Sequence, residues 1–275
     1  MLLEPISHGD KLVAAFKEVV CGAGKLALGY YRPGAPTTAG IAHKTGGSPV
    51  TEADCLVDRY LAQQLMPLLP EAGWLSEETE DSPARLSRDL ILVIDPIDGT
   101  RGFMTGQSGW AIAVALIEKG RPLLGIIHAP VLGETYIAVR GAGAKLNDKT
   151  IAVSKLAAMN AEARVVAPGF LADRLRQAGL KFDLRPRIPS LALRIANVAS
   201  GALDAGFASE NARDWDIAAA DLILHEAGGR LATLDGSEIL YNRQKTHHGV
   251  LTAAPERIHS EVNAAARLAN YKLQG

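Results

Sequence analysis

The run Val93-Ile94-Asp95-Pro96-Ile97-Asp98-Gly99-Thr100 places two carboxylates three residues apart at the end of an aliphatic stretch, then a Gly-Thr step. Two hard oxygen acids at a strand end, beside N–H groups that a glycine leaves open, suit metal-assisted phosphate chemistry. Alone, the run reads equally as an Asp-Pro and Asp-Gly turn with solvated acids. Other acids bear on the choice. Glu77-Glu78 follows Leu75-Ser76, and adjacent carboxylates repel unless one meets a cation. Glu80 and Asp81 nearby make a plain acidic turn the simpler account of that pair taken alone. Asp216, in Trp215-Asp216-Ile217-Ala218-Ala219, stands where a helix N-cap belongs. Asp54 follows Thr51 at the third position of a capping box, where Glu or Gln is usual, which opens a second role for it.

The elements that must position these acids follow from periodicity and punctuation. Val13, Phe16, Val20 and Ala27 predict a helix from about Ser7 to Tyr31, ended by Gly29 and Arg32-Pro33. The segment Pro33–Gly47 is rich in Gly, Pro and Thr and reads as an exposed loop or loose hairpin, and its part Thr37–Gly47 reads equally as a mobile lid or a plain connection. A second helix runs from Glu52 to about Leu69. Strands are predicted at Gly73-Leu75 and at Leu90–Ile94, the latter buried on both faces, with Pro96 taking the chain out of the strand. Further strands are expected near Ala111–Ile117, Leu124–His128 and Thr135–Val139. Beyond Lys155 strands and helices alternate. Strands are expected at Arg164–Ala167, Ala205–Phe207 and Val250–Ala253. Helices are expected at Leu191–Ala199, at Ile217–Ala227 closed by Gly228-Gly229, and from about Pro255. Two αβ halves meet near 145–155, an α/β architecture of two layers or more.

Composition excludes several classes. The chain has 275 residues, is 48% hydrophobic and 21% charged, and has a mean hydropathy of +0.07, all globular values. Lys plus Arg number 29 against 30 Asp plus Glu, so no basic field advertises a nucleic-acid polymer. Cys21 and Cys55 are too few for a disulfide framework and read as small core thiols. Glu4 and Asp10 interrupt the N-terminus, and no apolar run is long enough to span a bilayer, so a cytoplasmic protein is expected. The seven histidines, His128 and His247-His248 among them, show no metal-ligand spacing.

Together the acidic elements resemble the signature of the lithium-sensitive, magnesium-dependent phosphatase superfamily that includes inositol monophosphatase. That signature is an early Asp, a Glu-Glu pair, Asp-Pro-(Ile/Leu)-Asp-(Gly/Ser)-Thr and a late Trp-Asp-x-x-Ala-Ala. All four stand here in order: Asp54, Glu77-Glu78, Asp95 to Thr100 and Trp215 to Ala220. The resemblance runs from about Lys44 to the end and includes Glu226-Ala227-Gly228-Gly229. It implies an α/β (α+β) layered αβαβα sandwich. An N-terminal half, 1–150, would carry most metal ligands, and a C-terminal half, 151–275, would supply the late Asp.

The resemblance also implies roles. Glu77, Asp95 and the Ile97 carbonyl would hold one Mg²⁺; Asp95, Asp98 and Asp216 a second; Glu77 would lie near a third, weaker site. Gly99 and Thr100 would receive phosphate through backbone N–H groups, with Arg101 beside them. Asp54 would bond the Thr100 hydroxyl, and that dyad, with Glu78, would orient or activate the attacking water. The all-oxygen ligand set independently favours Mg²⁺ or Mn²⁺ over Zn²⁺. In-line attack by water, without a phospho-enzyme, follows.

Substrate choice rests on finer likenesses. Ser48 to Asp54 resembles the nucleotidase and histidinol-phosphatase branches, and Gly73 to Thr79 and Asp98 to Phe103 resemble bacterial 3′(2′),5′-bisphosphate nucleotidases, which convert 3′-phosphoadenosine 5′-phosphate to AMP and phosphate. One departure is Arg101-Gly102-Phe103, where better-known nucleotidases carry Lys-Glu-Phe. A bisphosphate needs a second cationic contact, for which Arg101, Lys44, Arg194 and Arg213 are candidates, each otherwise a solvated surface charge. The alternatives are an inositol or other sugar or polyol phosphatase, then a histidinol-phosphate phosphatase. A non-enzymatic role as a binding partner of a larger assembly is a further reading. A homodimer and lithium inhibition are expectations of the resemblance.

Overall fold

The computed structural model describes residues 7–44 and 46–271. Glu4, cited above against a leader segment, lies outside them. Helix α1 (Ser7–Leu28) buries Phe16, Val20, Ala23 and Ala27, a stripe at helical spacing, and ends three residues before Tyr31. The loop that follows holds a small antiparallel hairpin, β1 (Ile41–His43) and β2 (Pro49–Thr51). Helix α2 (Glu52–Leu65) starts at the predicted capping box, with Thr51 as N-cap and Asp54 at N3. It stops short of Leu69 because Pro67 tightens the chain into a 3₁₀ turn, Met66–Leu68.

A seven-stranded sheet comes next, in the order β3-β4-β5-β6-β7-β8-β9. Its strands are β3 (Gly73–Ser76), β4 (Leu90–Asp98), β5 (Ala111–Glu118), β6 (Arg121–Ala129), β7 (Glu134–Val139), β8 (Ala144–Leu146) and β9 (Lys149–Thr150), with a five-residue helix, α3 (Thr100–Met104), between β4 and β5. Only β3 and β4 pair in parallel; the rest form an antiparallel meander. The short β8 and β9 carry too few residues to show a period, and sequence reading missed them. A second sheet of five strands follows, ordered β11-β10-β12-β14-β13. This part of the chain contains β10 (Arg164–Val166), α4 (Gly169–Gln177), β11 (Asp183–Leu184), α5 (Leu191–Ala199), β12 (Ala205–Ala208), α6 (Asp214–Glu226), β13 (Gly229–Thr233), β14 (Leu251–Pro255) and α7 (Glu256–Tyr271), the helices packing on the sheet's faces.

Three apolar clusters separate five layers. Alternate residues of β4 divide between two of them: Leu92 and Ile94 pack with α1 and α2, while Ile91 and Val93 pack with α5 and α6. The face of the second sheet bearing Leu251 and Ala253 joins that α5–α6 cluster. Its opposite face packs on α4 and α7 through Val165, Phe207, Leu171, Ile258 and Val262. The order is therefore α1/α2, sheet, α5/α6, sheet, α4/α7: the expected αβαβα sandwich. Small residues make the middle layer thin enough. A Cβ at Gly125 of β6 would lie 2.7 Å from the Ala219 carbonyl oxygen of α6, so the Ala218-Ala219 pair works by close approach.

Four local expectations are corrected. Strand β4 does not end at Pro96; it continues to Asp98 through a bulge, three steps from Asp95 to Asp98 matching two on β5. The bulge accommodates a residue that has no N–H to give. Asp216 is not an N-cap: α6 begins at Asp214, with Arg213 as cap and Asp216 at N3. Gly229 opens a strand rather than merely closing a helix. Cys55 is exposed and Cys21 half-buried, so neither is a fully buried core thiol.

Candidate active site

The site forms where β4 ends between two neighbours. Strand β3 runs parallel beside it, and the Glu77 N–H donates to the Ile94 carbonyl at 3.2 Å, which sets Glu77 next to Asp95. Helix α6 crosses from the other sheet and delivers Asp216, whose Oδ2 accepts from the Arg213 N–H at 2.7 Å. One carboxylate oxygen each from Glu77, Asp95 and Asp216 lies within 4.8 Å of the others. Asp95 Oδ1 is buried and has no hydrogen-bond partner among the described residues. A buried anionic oxygen without a donor is costly, and a hard divalent cation satisfies it. The donor set is all carboxylate, so these residues fit Mg²⁺ or Mn²⁺.

Asp98 lies one bulge further along. Its Oδ2 accepts from Ser190 Oγ and from the Ala192 N–H, both at 2.6 Å, at the N-terminus of α5. Ser190 also caps that helix, accepting from the Leu193 N–H at 2.9 Å. Gly99 adopts φ +93°, and a Cβ there would lie 2.9 Å from the Ser190 nitrogen, so only glycine lets β4 turn into α3 against α5. Among the described residues, the N–H groups of Gly99, Thr100 and Arg101 reach no protein acceptor, which leaves an anion cradle open. The Arg101 side chain is exposed.

Asp54 joins from α2. Its Oδ2 accepts from the Thr51 N–H at 2.8 Å and Thr51 Oγ1 at 2.6 Å, while its Oδ1 lies 3.4 Å from Thr100 Oγ1. The Thr100 hydroxyl is nearer the Ile97 carbonyl, at 3.1 Å. Lys44, from the turn between β1 and β2, bonds Glu77 Oε1 at 2.9 Å and Glu78 Oε1 at 2.8 Å.

So many acids in one place resist ionisation. Burial, opposed by the Thr51 hydrogen bonds, pushes Asp54 up to about 6. Burial likewise lifts Glu78 to about 7 against the pull of Lys44. Asp95 and Asp216 are held well above the carboxylate range, first by burial and then by neighbouring charges, Glu77 and Asp98 among them. Asp98 is raised by burial and restrained by its Ser190 and Ala192 hydrogen bonds and by the Arg194 charge.

The four basic candidates part company. Arg213 is exposed, its guanidinium 5.8 Å from the Trp215 ring centroid. Arg194, read as a solvated charge, is instead 7% exposed; its Nη1 donates to the Phe207 carbonyl at 3.3 Å and its Nε has no partner among the described residues. Sequence reasoning missed Ser190, which only the fold brings to Asp98 across 92 residues. It also missed Asp58, although a second acid four residues after Asp54 was a readable sign of a shared helix face. His248 accounts for itself structurally, Nε2 lying 2.7 Å from Asp214 Oδ1.

The inositol monophosphatase family profile matches residues 9–270. A 3′(2′),5′-bisphosphate nucleotidase CysQ of Aggregatibacter actinomycetemcomitans is 32% identical over 212 residues, 74% of this chain and 78% of that protein. A histidinol-phosphatase of Mycobacterium tuberculosis is 34% identical over 225 residues, covering 78% and 83%. The solved structure of a Thermotoga maritima IMPase superposes with a TM-score of 0.79 at 27% identity, covering 96% of this chain and 99% of that one.

Proposed function

This chain belongs to the inositol monophosphatase family and is a phosphatase of it; within that family we propose a Mg²⁺-dependent 3′(2′),5′-bisphosphate nucleotidase acting on 3′-phosphoadenosine 5′-phosphate. Relatives of similar identity carry different substrate names, so the choice among them rests on the site. One observation carries it: Arg194, a buried guanidinium with an unpartnered Nε, lies close enough to Asp98 and Asp216 for their charges to act on it. A bisphosphate presents a second anion that such a guanidinium can meet, and Arg pairs with phosphate through two N–H groups.

Glu77, Asp95, Asp98, Asp216 and the Ile97 carbonyl are the groups that would hold Mg²⁺. The bound ions would supply Lewis acidity toward the phosphoryl oxygens and the leaving oxygen. The remaining work belongs to the chain. The free N–H groups of Gly99, Thr100 and Arg101 cradle the phosphate. The Thr100 hydroxyl donates toward Asp54 or Ile97, which turns its lone pair toward the proton of the attacking water. Asp54 and Glu78, which burial lifts to about 6 and about 7 before any cation is bound, are the carboxylates that can take up that proton.

No helix among the described residues is long and apolar enough to cross a membrane. Cytoplasmic residence and the division into halves 1–150 and 151–275 belong to the same proposal and rest on the sequence pattern, while a homodimer and lithium inhibition rest on the family resemblance. The test is phosphate release with Mg²⁺ from the nucleotide bisphosphate, inositol 1-phosphate, histidinol phosphate and fructose 1,6-bisphosphate at matched concentrations. The nucleotide should be preferred in kcat/KM. Arg194→Lys, which keeps the charge acting on Asp98 and removes the two-pronged guanidinium, should lower that value by roughly 10- to 100-fold, the worth of a charge-assisted bond, and spare inositol 1-phosphate. A preference for a monophosphate, or an equal Arg194→Lys loss on all four substrates, refutes the assignment.

A further inference from the structure

Helix α2 presents two buried acids one turn apart, Asp54 and Asp58, and of these only Asp54 reaches Thr100. Asp58 is 6% exposed, and both its oxygens are engaged. Oδ1 accepts from Ser76 Oγ and Oδ2 accepts from Thr79 Oγ1, the latter at 2.6 Å. Ser76 Oγ accepts in turn from the Glu78 N–H at 3.3 Å. The residues immediately before and immediately after Glu77-Glu78 are therefore tied to a single carboxylate.

Beyond Lys44, whose Nζ donates to the Glu77 carbonyl and to a carboxylate oxygen of each glutamate, that segment has little else to shape it. Strand β3 ends at Ser76, residues 77–79 form no regular element, and one backbone bond, from Glu77 to Ile94, continues the pairing with β4. Two adjacent glutamates on such a bend repel each other and lose rotamer freedom when they converge on a cation. A carboxylate fixed on a helix and bonded on both sides of the bend removes much of that loss before the cation arrives.

We propose that Asp58 is a positioning residue that holds the Glu77-Glu78 bend in its cation-binding shape. Helix α2 thereby indexes both sides of the site at once: Asp54 faces Thr100 and the nucleophile, and Asp58, one turn on, faces the metal ligands. Ordering the bend in advance acts on cation affinity and leaves turnover at saturating cation largely intact. The inference rests on the metal-dependent reading above.

The experiment measures Mn²⁺ binding to the full chain without substrate, from the electron paramagnetic resonance signal of free Mn²⁺, for wild type, Asp58→Asn and Thr79→Val. Thr79 is not buried in the core, so its variant tests one arm of the tie without threatening the fold. Asp58→Asn should weaken Mn²⁺ binding roughly tenfold, within the range usual for partners of metal ligands, and Thr79→Val by a smaller factor in the same direction. The Mg²⁺ concentration for half-maximal turnover should rise in parallel, with kcat recovering to within about threefold at saturation. Mn²⁺ affinity within about twofold of wild type in a cooperatively folded Asp58→Asn overturns the proposal, as does a kcat loss that Mg²⁺ cannot restore. If Asp58→Asn does not fold, unchanged affinity in Thr79→Val overturns it. A wild-type chain that releases phosphate in chelator and binds no Mn²⁺ refutes the metal reading itself, before any variant is compared.

Discussion

Replacing Asp54 by asparagine should make the metal-free protein more stable and catalytically inert. Asp54 is 1% exposed, and burial carries its pKa from 3.8 to about 6. That rise corresponds to roughly 3 kcal/mol of preference for the neutral form in the folded state. Between those two pKa values the folded chain keeps a proton that the unfolded chain has released, so stability falls as pH rises through the window. Below about pH 4 the acid is neutral in both states and contributes nothing. Above about pH 6 the full cost is present. The asparagine side chain retains an oxygen for the Thr51 N–H and hydroxyl and offers an amide toward Thr100, so the cap geometry survives without the charge. The stability difference between variant and wild type should therefore grow by about 3 kcal/mol from about pH 4 to about pH 7.5. Urea unfolding in chelator across that range measures it. Turnover should fall by at least about a hundredfold, the usual worth of a positioned proton acceptor. A difference that stays flat with pH, or a variant that keeps more than about a hundredth of wild-type turnover, refutes the reasoning.

Asp95→Asn should abolish the stabilisation that Mg²⁺ gives the wild type, because it neutralises the carboxylate whose Oδ1 has no protein donor among the described residues. At about a hundredfold excess over Kd that stabilisation is about 2.7 kcal/mol, which thermal melts with and without Mg²⁺ resolve as a Tm shift of several degrees; an equal shift in the variant would remove Asp95 from the ligand set. Gly99→Ala should cost about 1–2 kcal/mol for the left-handed backbone alone. Its Cβ also presses on the Ser190 nitrogen, beside the hydroxyl that holds Asp98. Melting temperature and kcat at saturating Mg²⁺ should therefore fall together, and a variant altered in Tm alone would separate the turn from the site.

The local parts of the site were legible because their signals are local. Thr51 and Asp54 satisfy each other across one helical turn. The aliphatic run into Asp95 declares a strand packed on both faces. The Ala-Ala after Asp216 marks a helix that must lie close to its neighbours. Where reading failed, short-range cues were ambiguous. Pro96 normally ends a strand, yet a bulge carried β4 two residues beyond it to Asp98. Asp216 matched an N-cap by type, and only the backbone at Arg213 placed it at N3.

From its amino-acid order alone the chain determined which chemical groups are present and in what succession: six acids, a Gly-Thr turn and the helices and strands that carry them. Spacing and periodicity determined nothing about which distant ones meet, which only the resemblance implied for the acids, because contacts between distant segments depend on how layers stack. Tertiary structure alone brought Ser190 to Asp98 and Asp58 to the bend after β3, and it set Asp216 of the middle helix layer beside Asp95 and Glu77. Burial, also a property of the assembled layers, lifted the Asp54 and Glu78 carboxylates toward neutrality and enclosed the Arg194 charge.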